Sequence, residues 1–117
     1  MNSPSNPTGV GYNTTELAAF ADILRQHPAV HVISDDIYEH LCYDDFTFAT
    51  LAAVAPDLQD RILTANGVSK SFCMTGWRIG YCTGPVPLIK AMAKIQSQST
   101  SNPNSIAQHA ALAALDG

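Results

Sequence analysis

Two residues in this chain have the type and placement to do chemistry on a carbonyl compound. Lys70 follows the short apolar run Arg61-Ile62-Leu63-Thr64-Ala65, which reads as a buried strand bounded by Pro56 and Asp57 upstream and Asn66-Gly67 downstream. The segment delivering it, Gly67-Val68-Ser69, is small and weakly polar, and the next cation is Arg78. An amine in a low-dielectric site loses its proton readily and attacks carbonyl carbon. Asp35 follows a second run, Ala29-Val30-His31-Val32-Ile33-Ser34, β-branched and short. A carboxylate at a strand end ordinarily caps a helix. Beside a lysine at the same edge of a neighbouring strand, it faces the place where open α/β sheets bind their ligands.

The elements that position these groups are legible in order. Asn2-Ser3-Pro4-Ser5-Asn6-Pro7-Thr8-Gly9 is a turn by composition. Asn13 with Glu16 three residues on forms a capping-box pattern, and Leu17, Phe20, Ala21 and Leu24 make one apolar stripe. Pro28 ends that helix and breaks the register of His27 and His31, so their spacing does not make a metal site. His40 to Gln59 reads as a connector with one short helix, Ala49 to Val54. Asp36 and Glu39 are expected to be solvated. Ile79 to Gly84 reads as a strand, and Pro85 and Pro87 open a helix with Leu88, Met92 and Ile95 on one face. The polar run Gln96 to Asn104 interrupts it. Ser105 with Gln108 predicts a capping box for a closing alanine-rich helix, Ile106 to Leu115. This order predicts an α/β fold: part of a three-layer α/β/α sandwich with a mostly parallel sheet.

Composition bounds the function. The chain has 117 residues, enough for one modest domain; its hydrophobic content is 46% and its net charge −4. An acidic balance argues against nucleic acid as partner. No window approaches the roughly 20 apolar residues of a membrane span, and Met1-Asn2-Ser3-Pro4 does not resemble a signal peptide. Cys42, Cys73 and Cys82 lack metal-ligand spacing and read as free buried thiols, consistent with a cytoplasmic protein. No metal site is expected, and no internal repeat appears.

Ser69-Lys70 followed by Met74-Thr75-Gly76-Trp77-Arg78-Ile79-Gly80 resembles the Schiff-base lysine segment of the class I/II pyridoxal phosphate-dependent aminotransferases, of the aspartate aminotransferase fold type. The likeness is to the bacterial aspartate and aromatic branch. Asn6-Pro7-Thr8-Gly9 and Asp35-x-x-Tyr38 are similar to two further motifs of that family, and the resemblance covers essentially the whole chain. It implies pyridoxal 5'-phosphate as cofactor, with an amino acid and a 2-oxo acid as substrates. Lys70 would be the Schiff-base lysine, and it would then act as general base and acid. Asp35 would sit against the pyridine nitrogen; Tyr38 and Asn6 would reach the phenolic oxygen, Asn6 also the substrate carboxylate. Arg78 would hold the phosphate, with Ser69 as the local hydroxyl because Gly67 stands where the family often has serine. The resemblance further implies an antiparallel Ile79–Gly84 strand, a homodimer when full length, and residues 1–117 as part of a large cofactor-binding domain truncated at both ends. Rival expectations are another enzyme of the same fold type (a carbon–sulfur lyase or an aminocyclopropane-carboxylate synthase), a regulator with an aminotransferase-like sensor domain, and an inactive truncated remnant.

Overall fold

The computed structural model describes all 117 residues. Helix α1 (Thr14–Gln26) begins where expected: Asn13 accepts from the Glu16 amide, and the Glu16 carboxylate accepts from the Asn13 amide. Leu17, Ala21 and Leu24 are buried along its inner face, whereas Phe20 lies at the edge of the stripe and is exposed. Strand β1 (Val32–Asp35) follows, then the short helix α2 (Leu51–Val54), a 3-10 turn at Pro56–Arg61, and strand β2 (Ile62–Gly67). Strand β3 (Gly80–Thr83) and helices α3 (Val86–Ser99) and α4 (Ser105–Asp116) complete the chain.

The sheet is three-stranded in the order β1-β2-β3. β1 pairs parallel with β2, Asp35 opposite Ala65; β2 pairs antiparallel with β3, Gly67 opposite Gly80. Asn2 bridges to Asp35 in parallel on the other edge of β1, where the Asp35 amide donates to the Met1 carbonyl at 2.9 Å. Met1 and Asn2 thus lie alongside the C-terminal end of β1.

The main core gathers Leu17, Ala21 and Leu24 of α1, Val32 of β1, Leu51 and Ala55, Leu58, and Ile62 of β2. Each fully buried leucine there stabilises the fold by about 1.5–3 kcal/mol relative to exposure. A second cluster, Val68, Ile79, Ala107 and Ala111, holds α4 against the segment that carries Lys70. Arg61 closes the end of α1: its guanidinium donates to the carbonyls of Leu24, in the last turn, and of His27 and Val30, just beyond it.

Three expectations need correction. The closing helix is capped by Asn104, which accepts from the Ile106 and Ala107 amides, and Gln108 reaches back to the Pro103 carbonyl, so no Ser105–Gln108 box forms. The polar run does not stop α3 at Gln96; the helix continues to Ser99 and ends where Ser101 turns left-handed. The cysteines are free, but Cys73 and Cys82 are exposed and Cys42 only half-buried. No helix is long and apolar enough to cross a membrane.

Candidate active site

Asp35 is the last residue of β1, and Lys70 lies three residues beyond the end of β2. Because the strands run parallel, both side chains emerge at one edge of the sheet. The Asp35 carboxylate accepts from the Ile37 amide at 3.3 Å, which fixes the start of the turn Ile37–His40. That turn carries Tyr38 toward Asn6 and Lys70. The Tyr38 hydroxyl accepts from Asn6 Nδ2 at 3.3 Å, and Lys70 Nζ stands 6.0 Å from the centre of the Tyr38 ring, the outer limit of a cation–π contact. Lys70 is exposed, has no carboxylate partner, and follows the half-buried Ser69. The low-dielectric surroundings expected of the lysine are not built by these residues alone.

Asn2 supplies a link that sequence reasoning missed. Its Oδ1 accepts from the Asn6 amide at 3.1 Å while its Nδ2 donates to the Asp35 carbonyl at 2.9 Å. One side chain therefore ties the Asn6 turn to the strand end that bears Asp35. The only sequence signal for it was an asparagine opening a turn.

Arg78 follows the 3-10 turn Thr75–Trp77 and holds a left-handed backbone, φ 56°, unusual for a residue other than glycine. Its Nη1 donates to the Thr75 carbonyl at 2.9 Å and no carboxylate pairs with it, so the rest of the planar fork is free for an anion. Between Lys70 and Arg78, Ser71 Oγ is buried without a hydrogen-bond partner. Gly67 is glycine for a steric reason: a Cβ there would stand 2.8 Å from the Ile79 carbonyl oxygen and 3.2 Å from the Gly80 Cα. A serine at this position requires β2 and β3 to move apart.

Asp36 and Glu39 correct the sequence reading. Asp36 is only 3% exposed and accepts from Ser34 Oγ at 2.8 Å, on the inward pleat of β1. Glu39 is half-buried and accepts from Asn66 Nδ2 at 2.6 Å. Neither is a solvated surface acid. Burial, reinforced by the Glu39 charge, pushes both the Tyr81 phenol and the Cys42 thiol up.

This constellation can be set beside known proteins. A profile described as aminotransferase class I and II matches residues 1–117 in full. The chain belongs to the class I and II aminotransferases. An aspartate/prephenate aminotransferase of Cereibacter sphaeroides is 66% identical over the whole chain, and a probable enzyme of the same name from Rickettsia typhi is 64% identical. The crystal structure of the aspartate aminotransferase from Rhizobium meliloti superposes with a TM-score of 0.97 at 53% identity, covering 100% of this chain. The aromatic aminotransferase from Pyrococcus horikoshii gives 0.92 at 40% identity over 99% of it. The chain spans 29% of the length of the first three of these relatives and 31% of the fourth. The aminotransferase fold expected from sequence is therefore borne out, with a mixed sheet whose one antiparallel strand is β3.

Proposed function

We propose that these residues are part of the cofactor-binding large domain of a pyridoxal 5'-phosphate-dependent aminotransferase that moves an amino group from an amino acid to a 2-oxo acid. The observation that supports the reading is that Tyr38 bonds Asn6 and stands beside Lys70, past the ends of two parallel strands, one of which ends in Asp35. The donor set fits the cofactor chemically: an amine for an aldehyde, a carboxylate for a ring nitrogen, a phenol and an amide for a phenolic oxygen, and a free guanidinium fork for a phosphate. When bound, pyridoxal 5'-phosphate supplies an aldehyde that condenses with amines and a ring that withdraws electrons from the carbon beside them.

This chain's residues have separate tasks. Lys70 would offer its amine to the aldehyde and, as general base and acid, would move the proton between the substrate α-carbon and the cofactor's C4′ carbon. Asp35 keeps the ring nitrogen protonated, since a carboxylate at hydrogen-bond distance favours the charged form. Tyr38, held by Asn6, orients the phenolic edge. Arg78 and Ser69 hold the phosphate, and Gly67 takes no part in it because no side chain fits there.

The names of the relatives point to aspartate and prephenate as partners of the reaction. Homodimer formation is supported by the apolar, uncovered faces of α3 and α4, and a cytoplasmic setting by three unpaired thiols. The test is an assay of the full-length protein with aspartate and either 2-oxoglutarate or prephenate. Oxo-acid-dependent transfer supports the reading. Release of ammonia or a thiol without an oxo acid identifies a lyase of the same fold type instead.

A further inference from the structure

Beyond the β1–β2 ladder, which sets Asp35 opposite Ala65, the segment from Asp36 to the Tyr38 turn is joined to the strand preceding Lys70 at two points. The Asp36 amide donates to the Ala65 carbonyl at 2.9 Å, a bond any sequence could make. The other is specific to side chains: Asn66 Nδ2 to Glu39 Oε1 at 2.6 Å. Asn66 is engaged at both ends, because its Oδ1 accepts from the Gly67 amide at 2.7 Å. Around Glu39 the packing is dense in chemistry. Tyr81 lies opposite Asn66 in the β2–β3 ladder, and Cys42 Sγ donates to the Glu39 carbonyl at 3.2 Å. His40 Nε2 stands 3.4 Å from the same Oε1, and its ring meets Phe72, two residues after Lys70, edge-on with centroids 6.0 Å apart. Burial, with the Glu39 charge behind it, raises the ionisations of Tyr81 on β3 and of Cys42 in the loop after the turn.

We propose that the Glu39–Asn66 pair is a positioning brace, fixing the turn that carries Tyr38 relative to the strand that leads to Lys70, so that the two sides of the cofactor site keep one separation. The claim rests on the pyridoxal phosphate reading above. A carboxylate suits the task because a hydrogen bond to a charged acceptor is shorter and stronger than a neutral one. Partial burial keeps that bond from being screened as a surface pair would be. Neither residue touches the cofactor in this account; both act through the turn and the strand they join.

The experiment titrates apoprotein of the full-length protein with pyridoxal 5'-phosphate and records the melting temperature of each apoprotein alongside. Glu39→Ala is expected to raise the dissociation constant about tenfold, the effect of losing one charge-assisted bond. Glu39→Gln, which keeps an oxygen for Asn66, should stay within about threefold of wild type. Asn66→Ala removes the donor from the other side and reads the same quantity if Glu39→Ala does not fold. Combined with Glu39→Ala, it should add little, because both remove one interaction. A lower apoprotein melting temperature with unchanged affinity would show that the pair is structural only and overturn the brace, as would a Gln variant as weak as the Ala variant. Wild-type apoprotein that takes up no pyridoxal 5'-phosphate would instead overturn the functional reading beneath it.

Discussion

Asp35 and Asp36 are neighbours in sequence with opposite surroundings, because a strand turns successive side chains to opposite faces. Ser34 and Asp36 point inward on alternate pleats and bond to one another, whereas Asp35 stays partly exposed at the sheet edge. Asp36→Ala is therefore expected to destabilise the full-length protein by about 1–3 kcal/mol, since it leaves the fully buried Ser34 hydroxyl without its acceptor. Asp35→Ala should leave the denaturation midpoint nearly unchanged and cut turnover by orders of magnitude. Denaturant melts and kcat for both variants check this, and a swap of the two phenotypes would contradict it. The place of Asp35 at a strand end was legible from the apolar run before it; the roles proposed for Asp35 and Tyr38 follow from the family resemblance. The inward turn of Asp36 was not legible, because the residue that shares its pleat face is a serine, and a polar pair in the core erases the apolar alternation that would have set the phase.

Helix α1 was the most legible element, since its cap, its stripe and its proline stop all agree. α4 was displaced by one position at its start because Asn104 and Ser105 are both good caps; the extended backbone of Asn104, φ −56° and ψ 135°, decides between them. α1 also carries a contact that no local pattern announces. Arg25 donates from Nε and Nη2 to both carboxylate oxygens of Asp57, at 2.9 and 2.8 Å, clamping the last turn of the helix to the 3-10 turn that leads into β2. The Arg25 hydrogen bond holds the Asp57 carboxyl below the usual aspartate range. A depressed folded-state value contributes stability that is complete above the unfolded value and is lost as pH falls through the folded one. Asp57→Asn should therefore lower the melting temperature slightly at neutral pH, the pair being exposed and screened, and the gap should close in acid. A gap that persists below the carboxylate range would assign the effect to packing instead.

For the molecule as a whole, the surface is the informative feature. Ile33 on β1, Ile95 on α3 and Ile106 on α4 are 62%, 71% and 70% exposed, and Met1, Tyr12, Phe20 and Val30 to Ile33 line an apolar groove of about 400 Å³ along the β1 edge. The 117-residue chain by itself is expected to self-associate and to show no transamination with cofactor supplied. Sedimentation together with an aspartate and 2-oxoglutarate assay checks both, and a monodisperse, active monomer would contradict them. Composition could not disclose this exposure, because an apolar residue reads alike whether its own chain or another segment covers it. The fold class was legible because element order survives in a short chain; the separation between the turn and Lys70 was not, since Glu39 and Asn66 meet only once the strands pair. The central claim is that Lys70 is the amine that holds the cofactor. The most direct measurement treats the full-length protein with pyridoxal 5'-phosphate, reduces it with borohydride and locates the pyridoxyl group by peptide mass. The account predicts a single modification at Lys70; a label at Lys90, Lys94 or a lysine elsewhere, with Lys70 unmodified, would contradict it.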